Sequence, residues 1–177
     1  MSTKVVNEKV RFSYAHVFEP YSMEEGEKKK YSVAILIPKK KAKATLAKIE
    51  KAIEAAKETG RAKWGNKIPA KLKLPLRDGD EEKPDDEAYA GMFFLNASSD
   101  RKPGLVDEDL NEILDKSEFY SGCWGRASLN FFAFAGKQNG IAVALNNLQK
   151  LEDGEPLGAT ITTAAEDFGS EDDDDLI

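Results

Sequence analysis

The stretch that decides the fold is residues 119–151, which read FYSGCWGRASLNFFAFAGKQNGIAVALNNLQKL. On both sides of Asn139-Gly140, apolar residues alternate with polar or small ones, which is the period of a β-strand. Asn-Gly between two such runs is the strongest short-range signal of a β-hairpin. The pattern therefore predicts two long antiparallel strands, 119–138 and 140–151, joined around Asn139-Gly140.

Three more strands are predicted upstream of this hairpin. Their patterns cover residues 5–18, 31–37 and 89–99. In the first of them Val10, Phe12 and Tyr14 share one parity, opposite to Arg11 and Ser13, as in a strand with two different faces. A charged, glycine-containing loop separates the first two strands, so they are predicted to form a second hairpin.

Helical periodicity appears between the second and third of these strands. Apolar residues recur at spacings of three and four within residues 39–59, and Gly60 ends the pattern. Asp107 is a suitable N-cap for a second, short helix, whereas residues 61–86, with their prolines and charges, are predicted to form a long surface loop. These elements predict a mainly β protein, an OB-fold-like five-stranded antiparallel barrel with one long and one short helix; a β-sandwich stays open as the alternative.

Length and composition indicate one folded domain, predicted over residues 1–155. The 177 residues include one cysteine, Cys123, and one histidine, His16, which cannot supply an internal disulfide or a Cys/His zinc site. No run of roughly 18 apolar residues and no signal-peptide pattern occur, so neither membrane insertion nor secretion is expected. We predict an intracellular protein without a cofactor or a metal.

The C-terminus carries a block of negative charge. The last seven residues are Glu171, Asp172, Asp173, Asp174, Asp175, Leu176 and Ile177. The chain has 26 Lys and Arg against 32 Asp and Glu, but 26 against 25 once the seven acids after residue 165 are left out. Terminal blocks of like charge stay solvated and act as interaction tails. We predict a disordered, flexible acidic tail over residues 156–177 that folds back on the mildly basic domain or binds a partner; a purely solubilising role stays open.

The strand before Asn139 predicts a functional face. One parity is an ordinary core set, whereas the other carries Tyr120, Trp124, Arg126, Ser128, Asn130, Phe132 and Phe134. Burying an unpaired arginine or asparagine costs several kcal/mol, so this face is expected to meet water or a polar ligand. Rings that stack on bases, interleaved with cations that contact phosphates, are typical of single-stranded nucleic acid binding. A face covered by a loop or a second core is the alternative.

Six motifs lie in a distinctive order along the chain. They are VRFSYAHVFEP at 10–20, KYSVAILIPK at 30–39, PLRDGD at 75–80, FFLNASSDRKP at 93–103, EFYSGCWGRASLNFFAF at 118–134 and GIAVALNNLQ at 140–149. In this order they resemble a phage family of single-stranded DNA-binding proteins with an OB-fold, over most of residues 4–155. The resemblance implies sequence-tolerant binding of single-stranded DNA during phage DNA replication or recombination, in the cytoplasm of the infected bacterial host.

The architecture is also similar to that of podovirus replication proteins that join an OB-fold to an acidic tail. In those proteins the tail recruits polymerase and helicase and competes with DNA for the groove. Their tails end in an aromatic residue, whereas this chain ends in Leu176-Ile177. The similarity implies a tail that competes for the groove or recruits phage DNA polymerase, helicase or recombination proteins.

Candidate DNA-contacting residues are assigned by side-chain type. Base stacking is assigned to Trp124, Phe132, Phe134, Tyr120 and Phe94, and phosphate contact to Arg126, Arg11, Arg77, Arg101, Lys102 and Lys137. Arg77 and the Arg101-Lys102 pair belong to two loops that are expected to close over the strand from opposite sides. Single-stranded DNA is the expected partner, no membrane is expected, and a homodimer is one of the oligomeric states left open.

Some sequence features suit functions other than DNA binding. The carboxylates of Asp78, Asp80, Asp85 and Asp86 would suit a magnesium-dependent nuclease. Next to glycine and proline, however, such residues are typical turn formers, and no histidine or lysine accompanies them in a catalytic spacing. The chain is therefore predicted not to be an enzyme. A phage structural or scaffolding protein that does not bind DNA is the remaining alternative.

Overall fold

Five long strands and three short ones form one mixed sheet. The computed structural model describes residues 2–22 and 24–157. In this part of the chain the elements are β1 (Lys4–Val6), β2 (Val10–Tyr21), β3 (Lys30–Pro38), α1 (Lys43–Thr59), β4 (Arg77–Asp78), α2 (Gly79–Glu82), β5 (Met92–Ser99), β6 (Gly104–Val106), β7 (Trp124–Phe134) and β8 (Gly140–Glu152). The five long strands, β2, β3, β5, β7 and β8, correspond to the five predicted ones, but the predicted strand 5–18 is divided between β1 and β2, and only Trp124–Phe134 of the predicted 119–138 is strand. From residue 158 onward the predicted acidic tail lies outside the described residues.

The long strands close into a barrel. β2 pairs with β3, β3 with β5, and β7 with β8, all antiparallel, and β7 returns to β2 at Val10 and Gly125. β8 meets β5 in parallel, with Ser98 opposite Ala144. A closed ring of five strands cannot alternate direction throughout, so one contact has to be parallel. The OB-fold-like barrel is thus confirmed, and only its purely antiparallel pairing needs this correction.

The core fills the barrel and extends under α1. Apolar side chains of alternate strand residues point inward, among them Phe12, Ile35, Leu95 and Phe131. Helix α1 covers one end of the barrel with an apolar stripe that includes Ile49, Ala52, Ile53 and Ala56. It begins at Lys43, four residues later than predicted, because Ala42 N–H bonds the Pro38 carbonyl in a turn. No helix among the described residues is long and apolar enough to cross a membrane.

The short helix lies in a different place from the predicted one. Asp107 does accept backbone N–H bonds, from Asp109 at 2.9 Å and Asn111 at 3.0 Å, but it caps a turn. Leu110 has a φ of 68°, a left-handed conformation that a helix cannot contain. The short helix is α2, inside the predicted 61–86 loop, and its N-cap is Asp78. The rest of that loop is irregular, apart from a 3-10 turn at Arg61–Trp64 and the two residues of β4.

Candidate nucleic-acid interface

In strand β2, the residues that face outward do not keep one parity along the whole strand. Val10, Phe12 and Val17 all belong to the core, although Val17 has the opposite parity. The change occurs at a bulge, where the register with β3 shifts before His16 and Tyr14 has a φ of 46°. Tyr14, which shares the parity of the core residues in the sequence, is instead 57% exposed. The bulge also places His16 on the outer surface of the barrel.

One row of outward-facing residues crosses the strands next to this bulge. Successive pairings join His16 to Ser32, Ser32 to Ser98, Ser98 to Ala144, Ala144 to Asn130 and Asn130 to Lys4. We call these six residues the cross-strand row. Neighbouring strands are about 4.8 Å apart, so the row follows the curved surface for about 24 Å. Its central residues are small or polar, which leaves space above them for a flat ligand.

Aromatic rings stand near both ends of the cross-strand row. The His16 imidazole stacks on the Tyr21 ring with 4.1 Å between centroids and 9° between planes, and Tyr21 is 49% exposed. Burial lowers the pKa of His16 below its usual value, so the imidazole is neutral at pH 7. On β7, Phe132 is 40% exposed and lies opposite the small side chain of Ala142. Both ends therefore offer a ring face on which a base can stack.

Basic side chains line one edge of the cross-strand row. Arg101 and Lys102 follow β5, are exposed, and line a cavity of about 230 Å³ together with Asn146. Lys29 and Lys30, also exposed, lie where β3 begins. Within residues 2–22 and 24–157, none of these four cations forms an ion pair. Their charges are available to a polyanion.

Trp124 lies on the outer face of β7, under the last described residues. We call residues 153–157 the C-terminal strap. Gly154 of the strap contacts the indole ring, whose centroid is 5.7 Å from Arg11 Cζ. Arg11 also donates from Nη2 to the Glu155 carbonyl oxygen at 2.6 Å. The ring is half-buried and the guanidinium is bonded to the protein, so both predicted DNA contacts are covered by the strap.

Tyr120 is half-buried and anchors the strap. Its hydroxyl donates to Asp153 Oδ1 at 2.8 Å and accepts the Gly154 N–H at 3.2 Å. Burial, reinforced by the Asp153 carboxylate, raises the pKa of Tyr120. Leu157, at the other end of the strap, lines a cavity of about 370 Å³ together with His16. The described chain therefore ends beside the aromatic start of the cross-strand row, two residues beyond the predicted domain boundary.

Phe94 is a packing residue. It is 1% exposed and meets Tyr89 edge-on, with 5.0 Å between ring centroids and 84° between planes. Arg77 Cζ lies 5.2 Å from the Phe94 ring, and Arg77 Nε donates to Glu82 Oε1 at 2.8 Å. The assignment of base stacking to Phe94 is therefore corrected. Arg77 and Arg101 lie towards opposite ends of β5, as the two-loop prediction requires, but Arg77 is paired within the protein.

The remaining predicted residues are divided between open and occupied positions. Phe134 is half-buried with its ring against Gly140. Arg126 Nε donates to the Asn7 carbonyl oxygen at 3.0 Å. Lys137 is exposed in the turn between β7 and β8. The outer face of β7 is thus not one open aromatic platform, and among its rings Phe132 is the most exposed.

Two of the carboxylates considered for a nuclease, Asp78 and Asp80, have structural partners. Lys39 Nζ lies 2.6 Å from Asp78 Oδ1 and 2.8 Å from Asp80 Oδ2. The hydrogen bonds from this lysine hold the pKa values of both carboxyl groups below their usual range. Asp80 also accepts the Gly91 N–H at 3.0 Å. Among the described residues, no three histidine, cysteine or carboxylate side chains come together as metal ligands.

Comparison with known proteins identifies the family. A family model described as "Enterobacter phage Enc34, ssDNA-binding protein" matches residues 3–177. The chain belongs to this family. Its membership confirms the resemblance seen in the sequence and agrees with the prediction that the chain is not an enzyme.

The Enc34 protein itself, one further phage protein and one more distant structure are similar to this chain. The single-stranded DNA-binding protein from bacteriophage Enc34, solved in complex with ssDNA, is 28% identical with a TM-score of 0.79, covering 88% of this chain and 90% of its own. Protein p50 of Acyrthosiphon pisum secondary endosymbiont phage 1 is 27% identical over 175 residues, 93% of this chain and 92% of that protein. The single-stranded DNA-binding protein gp2.5 of bacteriophage T7 shares only the fold, at 14% identity, a TM-score of 0.61 and coverage of 97% and 95%.

In this member of the Enc34 ssDNA-binding protein family, sequence reasoning missed the aromatic end of the site. Tyr14, His16 and Tyr21 were not among the candidate residues. One signal was available, because Phe12 and Val17 are both apolar but fall on opposite parities of one predicted strand. Such a change of parity indicates a bulge, and bulges re-aim side chains next to functional sites.

Proposed function

We propose that this chain is a sequence-tolerant single-stranded DNA-binding protein that acts in phage DNA replication or recombination, in the cytoplasm of the infected bacterium. The observation that carries the proposal is the cross-strand row, with a ring face near each end and unpaired cations along one edge. The complex of the Enc34 protein with ssDNA supports it, because that protein is 28% identical over most of both chains.

In the proposed mode of binding, bases lie over the cross-strand row while the phosphates follow its basic edge. Bases stack on the His16-Tyr21 pair and on Phe132, and the small residues between them leave room for further bases. Arg101 and Lys102 attract the phosphates. Every base has a ring face, so binding by stacking tolerates any sequence, and each stacked base contributes about 1 to 3 kcal/mol.

Fluorescence anisotropy with a labelled dT oligonucleotide tests this proposal. Tyr21→Ala and Phe132→Ala are each expected to weaken binding about 5- to 150-fold, the equivalent of 1 to 3 kcal/mol. Leu114→Ala removes another exposed apolar side chain, 75% exposed, that lies outside the row and serves as the control. Wild-type affinity should also fall steeply with added salt as counterions are released. Salt-independent binding, or equal effects of all three substitutions, would contradict the proposal.

The acidic tail is proposed to compete with DNA for this surface. Its support is the concentration of carboxylates after residue 165 and the position of Leu157 beside the cavity that His16 also lines. A tail that starts there would lie within reach of Arg101 and the other edge cations. Attraction between the tail and these cations weakens with salt, so competition is expected to be strongest at low ionic strength.

Two truncations separate the tail from the strap. Ending the chain after Leu157 keeps the strap, removes residues 158–177 with the acidic block, and should tighten DNA binding at low salt. Ending it after Asp153 also removes most of the strap, and should further expose Trp124 to acrylamide quenching. A full-length control with Glu171 changed to Gln and the four following aspartates changed to Asn keeps the length and removes the charge. If neither the chain that ends after Leu157 nor the neutralised full-length chain binds DNA more tightly than wild type, the tail does not compete with DNA.

We also propose that the tail recruits phage DNA polymerase, helicase or recombination proteins. Its support is the pair of aliphatic residues, Leu176 and Ile177, that follows the acidic block. These two side chains can make an apolar contact with a partner protein beside the ionic contacts of the acidic block. Changing both residues to serine should weaken capture of the replication protein by full-length chain without changing its affinity for DNA; unchanged capture would refute recruitment through the tip.

A further inference from the structure

Residues 61–74, between α1 and β4, form a basic segment that DNA binding does not use. It contains five basic residues and no acid. Within the described residues, Lys67, Lys71 and Lys73 are exposed and form no ion pair. Apolar side chains are interspersed among them, including Leu74 at 43% exposure and the half-buried Leu72. Aliphatic side chains between cations suit a protein ligand better than a strand of phosphates.

Residues 107–118, between β6 and β7, form an acidic loop of the opposite character. Six carboxylates stand there against one lysine. Leu110 and Leu114 are 72% and 75% exposed, more than any other large apolar side chain in the described chain. The loop is held in place by the buried Ile113, whose N–H donates to the Leu105 carbonyl oxygen at 2.8 Å. It therefore presents two leucines among carboxylates from a fixed position.

The two surfaces lie at opposite ends of β8. Lys73 of the basic segment bridges to Gly140 at the start of β8. Before the acidic loop, Val106 pairs with Gln149 near the other end of the strand. Nine residues of strand separate the two pairings, about 30 Å at 3.3 Å per residue. At this separation the two surfaces of one copy cannot meet each other, but each can meet the matching surface of another copy.

We propose that copies of this chain associate head to tail, with the basic segment of one copy bound to the acidic loop of the next. Charge complementarity and the exposed leucines on the loop favour a second copy over DNA, which the acidic loop would repel. Because the two contacting patches differ, the interface is heterologous and each copy leaves one of each surface free for a further copy. Copies bound to one long DNA strand can then contact each other through these surfaces.

Charge reversal on each surface tests the association in the full-length protein. The basic-segment variant is Lys67→Glu, Lys71→Glu and Lys73→Glu, and the acidic-loop variant is Glu108→Lys, Asp109→Lys and Glu112→Lys. Matched controls reverse three exposed charges elsewhere, at Lys41, Lys43 and Lys51, and at Glu81, Asp85 and Glu87. Self-association is measured by sedimentation velocity at low salt without DNA. Wild type and the controls are expected to self-associate. Both variants are expected to self-associate about tenfold more weakly, because like charges face each other in their interfaces.

Mixing the two variants provides the decisive experiment. The lysines on the loop of the acidic-loop variant should bind the glutamates on the segment of the basic-segment variant. The unaltered acidic loop of the basic-segment variant should bind the unaltered basic segment of the acidic-loop variant. An equimolar mixture is therefore expected to recover association to within about threefold of wild type, and association should be lost at high salt. Failure of the mixture to recover, with both variants folded by circular dichroism, would overturn the proposal.

Two other outcomes would also overturn the proposal by assigning the basic segment to a different ligand. If the lysine reversal weakens binding to an oligonucleotide that holds one copy, the segment contacts DNA. If neutralising the five carboxylates of residues 171–175 abolishes association while the loop reversal does not, the segment binds the tail. A further expectation rests on the proposed function: the cooperativity of binding to long poly-dT should fall about tenfold in each variant. Absence of DNA binding by wild type would refute that function and leave the DNA-free sedimentation result standing.

Discussion

Replacing Phe94 by alanine should destabilise the fold and leave the DNA contacts in place. The ring is 1% exposed and packs between Leu36 and Tyr89 on the outer side of the barrel. Truncating a fully buried phenylalanine costs about 3 to 5 kcal/mol, and here the edge-on contact with Tyr89 is lost as well. For a domain stable by about 5 to 15 kcal/mol, that is a large fraction of the total. With a urea slope of about 2 kcal/mol per molar, the unfolding midpoint should fall by about 2 M.

The matched substitution is Phe132→Ala, on a ring that is 40% exposed. It should cost about 1 kcal/mol of stability or less while weakening oligo-dT binding. Urea unfolding followed by circular dichroism, and anisotropy measured well below each midpoint, separate the two effects. The reasoning would be refuted if Phe94→Ala left stability unchanged and abolished DNA binding, because the ring would then be a stacking residue that becomes accessible in solution.

Two further predictions concern charged side chains. Lys39→Met should destabilise the protein at pH 7, because the depressed pKa values of Asp78 and Asp80 mean that their ionised forms are stabilised in the fold. That contribution is present above the unfolded carboxyl pKa of about 4 and is lost as the pH falls through the lower folded values; equal destabilisation in urea at pH 7 and pH 2 would contradict it. Arg101→Ala and Lys102→Ala should each reduce the slope of log affinity against log salt concentration by about 0.7, the value for one phosphate contact on single-stranded DNA. If a substitution lowers the affinity equally at all salt concentrations, without a change of slope, that side chain does not contact a phosphate.

The five long strands were predictable because each is long enough to show alternation. Asn139-Gly140 located the hairpin of β7 and β8, but its loop is residues 135–139, and Gly140 already pairs with Phe134. The short strands were not, since two or three residues have no measurable period; β4 and β6 exist because longer strands offer them free edges. Asp107 shows a different limit. An aspartate accepts the same backbone bonds in a helix cap and in a turn, and distant contacts, such as Gln149 Nε2 donating to the Asp107 carbonyl oxygen, stabilise the turn here.

The candidate site was predictable only where the strands are regular. On β7 the parity rule separates outward from inward residues correctly, but it cannot tell which outward rings a remote segment covers, as the strap covers Trp124. On β2 the rule itself fails, because the register with β3 shifts twice, once around the left-handed Tyr14 and again between His16 and Tyr21. These two irregularities bring His16 and Tyr21, which have opposite parities in the sequence, together on the surface. A change of apolar parity inside one predicted strand is therefore a reason to look for a binding site there, and Tyr21→Ala tests that inference directly against Phe132→Ala on the regular strand.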